Sequence, residues 1–424
     1  MMNARTVAYK LIEEWESQKT FPNLALKKAL RSVSNERDRR FITALVYGVV
    51  ERKITLDHFL AKCSERRLSS LSVPVLSILR MGLYQLFYMQ IPASAACNTS
   101  VDLIKHRGFA HSAGYVNAVL RRCDRERETL LQLKKADFSV RYSIDPELVE
   151  LLLDQYGKET FVSIMEGIGN PDTSMYLFHN IKRGSESEFI SALKSEYILP
   201  VPTDLPHLYK INSGFSVEDS PAYQAGWFHI VGRHSAEAAL LMPESAQKIM
   251  DLCAAPGGKT FVFAALTEGS VFSFDIHPHK IENLHSSAKR LGHSNVAAAL
   301  ADASEFLQDH AETADFVLCD VPCSGLGIMG KKPDIKYKKY HSKDFTELQY
   351  KILQNGARYL KPGGRLVYST CTIDRRENEL LIEGFLSQNP QFSFDFYGQK
   401  TFLPDSASDG FYIAALKKGN QIEN

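Results

Sequence analysis

Through the first third of the chain, apolar residues return every three or four positions. ARTVAYKLIEEW, DRRFITALVYGVVERKITLDHFLAKC and VLSILRMGLYQLFYM each carry this spacing, which gathers apolar side chains on one face of a helix. Residues 1 to about 140 are therefore predicted to be helical throughout. A further helix is punctuated in DPELVELLLDQYG, where Asp145 suits the N-cap, Pro146 the first turn and Gly157 the stop. From about 173 to 230 the pattern loosens into short strands and prolines, YLFHNIKR, ILPVPTDLP and WFHIVG, which predict a small mixed subdomain. From about 245 short apolar runs alternate with amphipathic stretches: KIMDLCA, TFVFAAL, VFSFD, HPHKIENLHSSAKRLG, VAAALAD, FVLCDVP, KDFTELQYKILQNGARYL, RLVYSTCT and GFYIAAL. Buried strands alternating with helices predict an α/β domain with a doubly wound, mostly parallel sheet.

A chain of 424 residues is too long for one ordinary core. Three parts are expected: a helical domain over 1–140, a connector or small α+β subdomain over 141–235, and the α/β domain over 236–424. The most apolar helix candidate, VPVLSILRMGLYQLFYMQIP, carries Arg80 in its middle and reads as a buried helix rather than a membrane span. MMNARTVAYK lacks the apolar core and cleavage site of a secretory signal. Seven cysteines without paired CxxC spacing point to reduced thiols in a cytoplasm. Residues 1–140 hold 23 Lys and Arg against 13 Asp and Glu, a balance of +10, so the total of +1 leaves about −9 for the remainder. A basic helical module joined to an acidic partner suggests polyanion binding, although a solvated basic surface explains the count equally well.

The chemistry sits in the α/β part, where ligands bind beyond the carboxyl ends of the strands. The first such strand runs into DLCAAPGGKT, and Gly257 and Gly258 let backbone approach a ligand at a helix start. A phosphate-binding GxxxxGK[ST] loop would need glycine at Cys253, and GxGxxG is absent, which disfavours an NTPase and a dinucleotide enzyme. Asp275 ends the next strand, placed to accept from ribose hydroxyls, and Asp302 ends the third, placed to meet the amine of an adenine. A ribose and an adenine without a phosphate fit S-adenosylmethionine. Any one of these aspartates alone is more often a helix cap than a ligand; together with the glycine loop they favour the cofactor.

Two later strands end in Asp320-Val321-Pro322-Cys323 and Thr370-Cys371-Thr372. If they are neighbours, both thiols stand over one sheet edge. That suits methylation at C5 of cytosine. A thiolate adding to C6 makes C5 nucleophilic, and a second group then assists release. Asp320 would hydrogen-bond the edge of the base, which must be unstacked to be reached. Zinc is disfavoured, since Cys319 and Cys323 have no partnering pair, so no metal is expected. Packing alone accounts for Cys319, Cys63, Cys97 and Cys123.

DLCAAPGGKT, DVPCSGLG, KKPDIKY, YSTCT and DGFYIAALKK together resemble the RNA cytosine-5 methyltransferases. The basic front half, with DRRFITALVYGVVER, is similar to the NusB-like RNA-binding domain of the bacterial 16S ribosomal RNA branch called RsmB or Sun. The resemblance spans nearly the whole chain. It implies an all-α NusB-like domain followed by a Rossmann-like, class I S-adenosylmethionine-dependent methyltransferase domain. It implies that Cys371 is the nucleophile and that Cys323 assists breakdown of the adduct. Cys253, Ala254, Ala255, Pro256, Gly257, Gly258, Lys259, Asp275, Asp302 and Asp320 would line the cofactor pocket, and Pro333 and Asp334 would belong, with a structural role, to a loop on the RNA side. The implied partner is 16S ribosomal RNA or a partly assembled small subunit, met by a cytoplasmic monomer. Two stretches depart from relatives: Gly232-Arg233-His234-Ser235 replaces a Gln-Asp pair, and Phe178 stands where relatives tend to carry arginine. A DNA cytosine methyltransferase would attack with the Pro-Cys thiol and carry a target-recognition insertion, of which the sequence has no trace. A non-catalytic ribosome-assembly protein, or an enzyme acting on another RNA, are the remaining alternatives.

Overall fold

The computed structural model describes residues 3–18, 23–169, 174–211, 215–339 and 342–420. The chain divides into two compact units, one of residues 1–161 with 331–339 and one of residues 162–330 with 340–424.

The first unit is built of helices, including Ala4–Gln18, Glu36–Glu51, Lys53–Cys63, Val73–Phe87, Ala93–His106 and Ala113–Arg125. Asn35 starts the second of these by accepting the backbone N–H groups of Arg37 and Asp38. Helix Val73–Phe87 is buried on nearly every side, as its apolar composition requires. Arg80 at its centre is 3% exposed. It survives there because Asp57 takes it bidentately at 2.6 and 2.7 Å and Glu16 pairs with its other nitrogen. Among the described residues, no helix is long and apolar enough to cross a membrane.

Two expectations about boundaries need correction. The helical unit does not end near 140: the Phe161 ring lies 5.1 Å from that of Phe138 and 5.8 Å from that of Tyr142, which ties the following helix to it. That helix, Pro146–Gly169, is broken at Gly157 (φ +74°), the expected stop, and resumes at once. Residues 331–339, placed by their position in the α/β domain, fold with the helices instead. The Tyr337 hydroxyl donates to the Glu51 carbonyl at 2.7 Å, and the Asp145 N–H donates to the Lys336 carbonyl at 2.9 Å.

The second unit holds two sheets. The smaller contains β1 (Met175–His179), β2 (Val201–Pro202), β3 (Leu208–Ile211) and β4 (Phe228–Ile230), ordered β2-β3-β1-β4 and antiparallel throughout. The larger contains β5 (Lys248–Asp251), β6 (Ser270–Asp275), β7 (Val296–Leu300), β8 (Ala314–Asp320), β9 (Leu360–Thr370), β10 (Phe392–Phe402) and β11 (Phe411–Lys418). Its order is β10-β11-β9-β8-β5-β6-β7, parallel from β5 to β9 and antiparallel at β10 and β11. Apolar clusters cover both faces, one around Ile249, Phe263 and Phe316 and one around Met250, Val317 and Tyr368. This is the doubly wound architecture expected. β5 to β7 run outward one way and β8 returns to the other side of β5, so the switch point lies between β5 and β8.

Candidate active site

At that switch point a cavity of about 450 Å³ opens beyond the strand ends. Of the expected cofactor residues, Cys253, Ala255, Asp275, Asp302 and Asp320 line it. The Asp275 carboxylate accepts the His277 N–H at 3.0 Å and pairs with Lys280 at 3.4 Å. Asp302 closes its own turn by accepting from Ser304 N–H and Oγ at 2.9 and 2.7 Å, and it borders the cavity. The rest of the loop works indirectly. Ala254 packs with Phe261 and Leu284. Gly257 turns the chain into helix Gly258–Leu266 at φ +104°, where a Cβ would fall 2.5 Å from the Phe261 ring. Pro256 and Gly258 lie in the same turn and do not line the cavity. Lys259 reaches past it to Asp320, Nζ to Oδ2 2.6 Å.

Spacing alone did not identify Ile276, Leu348 or Ile352, the apolar walls of the cavity. Leu348 and Ile352 stand four residues apart on helix Ser342–Tyr359, so their shared face was legible but not what it meets. Asp251 was also missed. It is fully buried at the end of β5, and burial pushes its carboxyl up to about 7, against the Thr260 hydroxyl that donates to it at 2.7 Å.

The two thiols meet. β8 pairs β9 in parallel, Asp320 beside Ser369, and this register brings Cys323 Sγ to 3.3 Å from Cys371 Sγ. The contact with Cys371, then burial, push the Cys323 thiol well above the usual cysteine range. Asp320 stands beside them, its Oδ1 accepting from Ser369 Oγ at 2.7 Å and its Oδ2 held by Lys259. The loops that carry the thiols are locked together. Gly327 N–H donates to the Cys371 carbonyl at 3.0 Å, and a Cβ on Gly327 would fall 2.2 Å from the Gly410 carbonyl. Ser324 Oγ lies 2.7 Å from Thr372 Oγ1. The buried Glu377 carboxylate takes the Ser324 N–H at 3.1 Å and Gln349 Nε2 at 2.7 Å, and the same amide donates to the Pro322 carbonyl at 2.9 Å. Cys319, Cys63, Cys97 and Cys123 are buried.

Comparison with known proteins follows this division. A family model described as 16S rRNA methyltransferase RsmB/F matches residues 238–417, and a NusB family model matches residues 2–125. The probable ribosomal RNA small subunit methyltransferase B of Synechocystis is 32% identical over 99% of this chain and 100% of its own length. The chain belongs to the ribosomal RNA small subunit methyltransferase B family. The Bacillus subtilis relative of the same name is also 32% identical, over 98% of this chain and 99% of its own. Among solved structures, PH0851 superposes with a TM-score of 0.79 at 22% identity over 99% of both chains. NSun6 from Pyrococcus horikoshii with SFG gives 0.58 at 23% identity, over 65% of this chain and 98% of its own. Both show the shared fold.

The two stretches where this family member departs from the expected pattern have structural work. Phe178 is fully buried, its ring 5.5 Å from that of His229. Arg233 grips Asp204 bidentately at 2.7 and 2.8 Å, and His234 stacks on Phe402 at 3.9 Å.

Proposed function

We propose that the chain is an S-adenosylmethionine-dependent RNA methyltransferase that makes 5-methylcytosine in 16S ribosomal RNA through a covalent adduct between Cys371 and C6 of the cytosine. The observation that carries the reading is the pair of thiols 3.3 Å apart, Cys323 following directly on Asp320, Val321 and Pro322, which line the switch-point cavity. The cavity suits the cofactor. Its lining has three carboxylates and apolar walls, with Lys280 already paired to Asp275. Such a lining favours hydroxyls, an amine and a positive sulfonium and repels phosphate. Asp275 and Asp302 would hold the nucleoside and Ile276, Leu348 and Ile352 its flat faces. S-adenosylmethionine supplies an electrophilic methyl group there.

We assign the two thiols the roles that the resemblance to the family implies. Two groups this close do not both ionise. With Cys323 held well above the usual cysteine range, Cys371 is the sulfur assigned to add to C6, which makes C5 nucleophilic. Asp320, fixed by Lys259 and Ser369, faces the base edge. Once the Cys371 sulfur is in a C–S bond, its hold on Cys323 is gone. Cys323 then loses its own proton to solvent, and its thiolate takes the proton from the methylated C5. The C–H electron pair becomes the C5–C6 double bond, and the C6–S bond breaks to return the Cys371 thiolate. The partner is 16S ribosomal RNA, free or in a partly assembled small subunit.

The test uses Cys323→Ala and Cys371→Ala with unmodified small-subunit RNA and S-adenosylmethionine on a denaturing gel. The expected result is a slow-migrating protein–RNA adduct with Cys323→Ala and none with Cys371→Ala. The reverse pattern exchanges the roles. RNA binding with neither adduct nor methyl transfer by the native chain favours a non-catalytic assembly protein.

A further inference from the structure

We propose that the helical unit contains a second RNA subsite, a pocket that takes one unstacked nucleobase bearing an amino group. The pocket has a volume of about 540 Å³, and the described residues that line it all belong to this unit. Trp15 and Tyr337 supply aromatic walls, their ring centroids 6.3 Å apart and tilted by 59°. Lys53 Nζ lies 5.1 Å from the Trp15 centroid and 5.8 Å from that of Tyr337. Lys338 and Lys339 are exposed at its border.

The feature that points to a ligand is Asp334. It is 5% exposed, and its Oδ2 pairs with Lys338 Nζ at 2.9 Å. Its Oδ1 is buried and has no hydrogen-bond partner among the described residues. A buried acceptor left without a donor is costly, and the cost is removed by a ligand that brings an N–H. Asp334, Glu16 and Asp145 offset Lys53, Lys338 and Lys339 around the same space, so the pocket offers a phosphate no net positive charge. A purely apolar ligand would leave the carboxylate oxygen unmet. A flat aromatic ring with an amino group satisfies the walls and the acceptor together, with its phosphates outside on the border lysines. The surrounding residues 1–140 carry the +10 balance that a polyribonucleotide would seek. Adenine, cytosine and guanine each offer an exocyclic amine. Uracil's single ring N–H is flanked by two carbonyl oxygens that would face the carboxylate, so it is the disfavoured base. The inference rests on the chain's acting on RNA, and it gives residues 333–337 a purpose separate from the thiol chemistry.

The protein carries its own reporter, since its two tryptophans are Trp15 and Trp227. Full-length Trp227→Phe leaves Trp15 fluorescence alone to report, titrated with tetranucleotides of adenosine, cytidine or uridine. Saturable quenching by adenosine and cytidine is expected, with uridine about tenfold weaker, the worth of one charge-assisted hydrogen bond. Asp334→Asn in the same background should abolish that difference. If that variant fails to fold, the base preference of Trp227→Phe alone decides. Equal binding of all three, or a silent Trp15, overturns the pocket. Methyl transfer to RNA is measured on the same preparation: a silent Trp15 with methylation intact removes the pocket only, and a silent Trp15 without methylation removes the proposed function as well.

Discussion

Gln349 is the side chain on which the placement of Cys323 turns. Its amide joins the Pro322 carbonyl to the Glu377 carboxylate, which in turn takes the Ser324 N–H, so the residues on either side of Cys323 are both held. None of this is visible locally in the sequence. Gln349 lies mid-helix and Glu377 in the loop after β9, and they meet only because β8 pairs with β9. The thiols were legible for the opposite reason: Pro-Cys and Thr-Cys at successive strand ends have few packing explanations. Gln349→Ala should cost about 1–3 kcal/mol of stability, since the buried Glu377 carboxylate and the part-buried Pro322 carbonyl lose a partner. It should also slow release, so that the RNA adduct accumulates on a denaturing gel with both cysteines intact, while first-turnover methyl transfer persists. A stability loss without adduct would reduce Gln349 to a packing role.

At the scale of elements, the strand–helix alternation of the α/β part was legible because parallel strands covered on both faces are continuous apolar runs. The edge strand β10 was not. FSFDFYGQKTF is mostly exposed or half-exposed, and its pairing with β11 slips between Phe394 and Gln399, around Gly398 at φ +68°. The docking of 331–339 on the helices was hidden too, because Tyr337 finds its partners nearly three hundred positions earlier. Two buried histidines next to the smaller sheet and the cofactor loop make this scale testable. His229 on β4 has Nε2 3.0 Å from the Gly258 carbonyl, and burial lowers its pKa to about 3. His293, after helix Pro278–Leu291, is lowered by burial to about 4. A histidine whose folded pKa lies below its unfolded value stabilises fully above about 6.5, and that stability is lost as pH falls toward the folded value. Asp251, raised to about 7, works in the opposite sense, so the comparison must be between variants. From pH 7 to pH 5 the native chain should lose about 2 kcal/mol more than His293→Leu in urea unfolding. Equal losses would mean that His293 is not held neutral by the fold.

At the scale of the whole molecule, charge is divided along the chain, +10 in residues 1–140 against about −9 in the rest. Not all of the positive charge is available. Arg80 is consumed by Asp57 and Glu16, Arg107 pairs with Glu13 and Arg122 with Glu126. Arg37, Arg67, Arg121, Arg125, Lys134 and Lys135 remain exposed. If about six such cations each neutralise a phosphate of single-stranded RNA, the logarithm of the affinity falls with the logarithm of salt at a slope near −4. The measurement is RNA affinity of the full-length chain at several salt concentrations, repeated for Arg67→Glu with Arg125→Glu. The double variant should bind more weakly at low salt and show a shallower slope, with S-adenosylmethionine affinity unchanged because the cofactor cavity is lined by the other unit. In turnover it should raise KM for RNA and leave kcat intact, since the thiols and Asp320 are untouched. A flat salt response in the native chain would take RNA binding away from the helical unit and return its charge to an ordinary solvated surface.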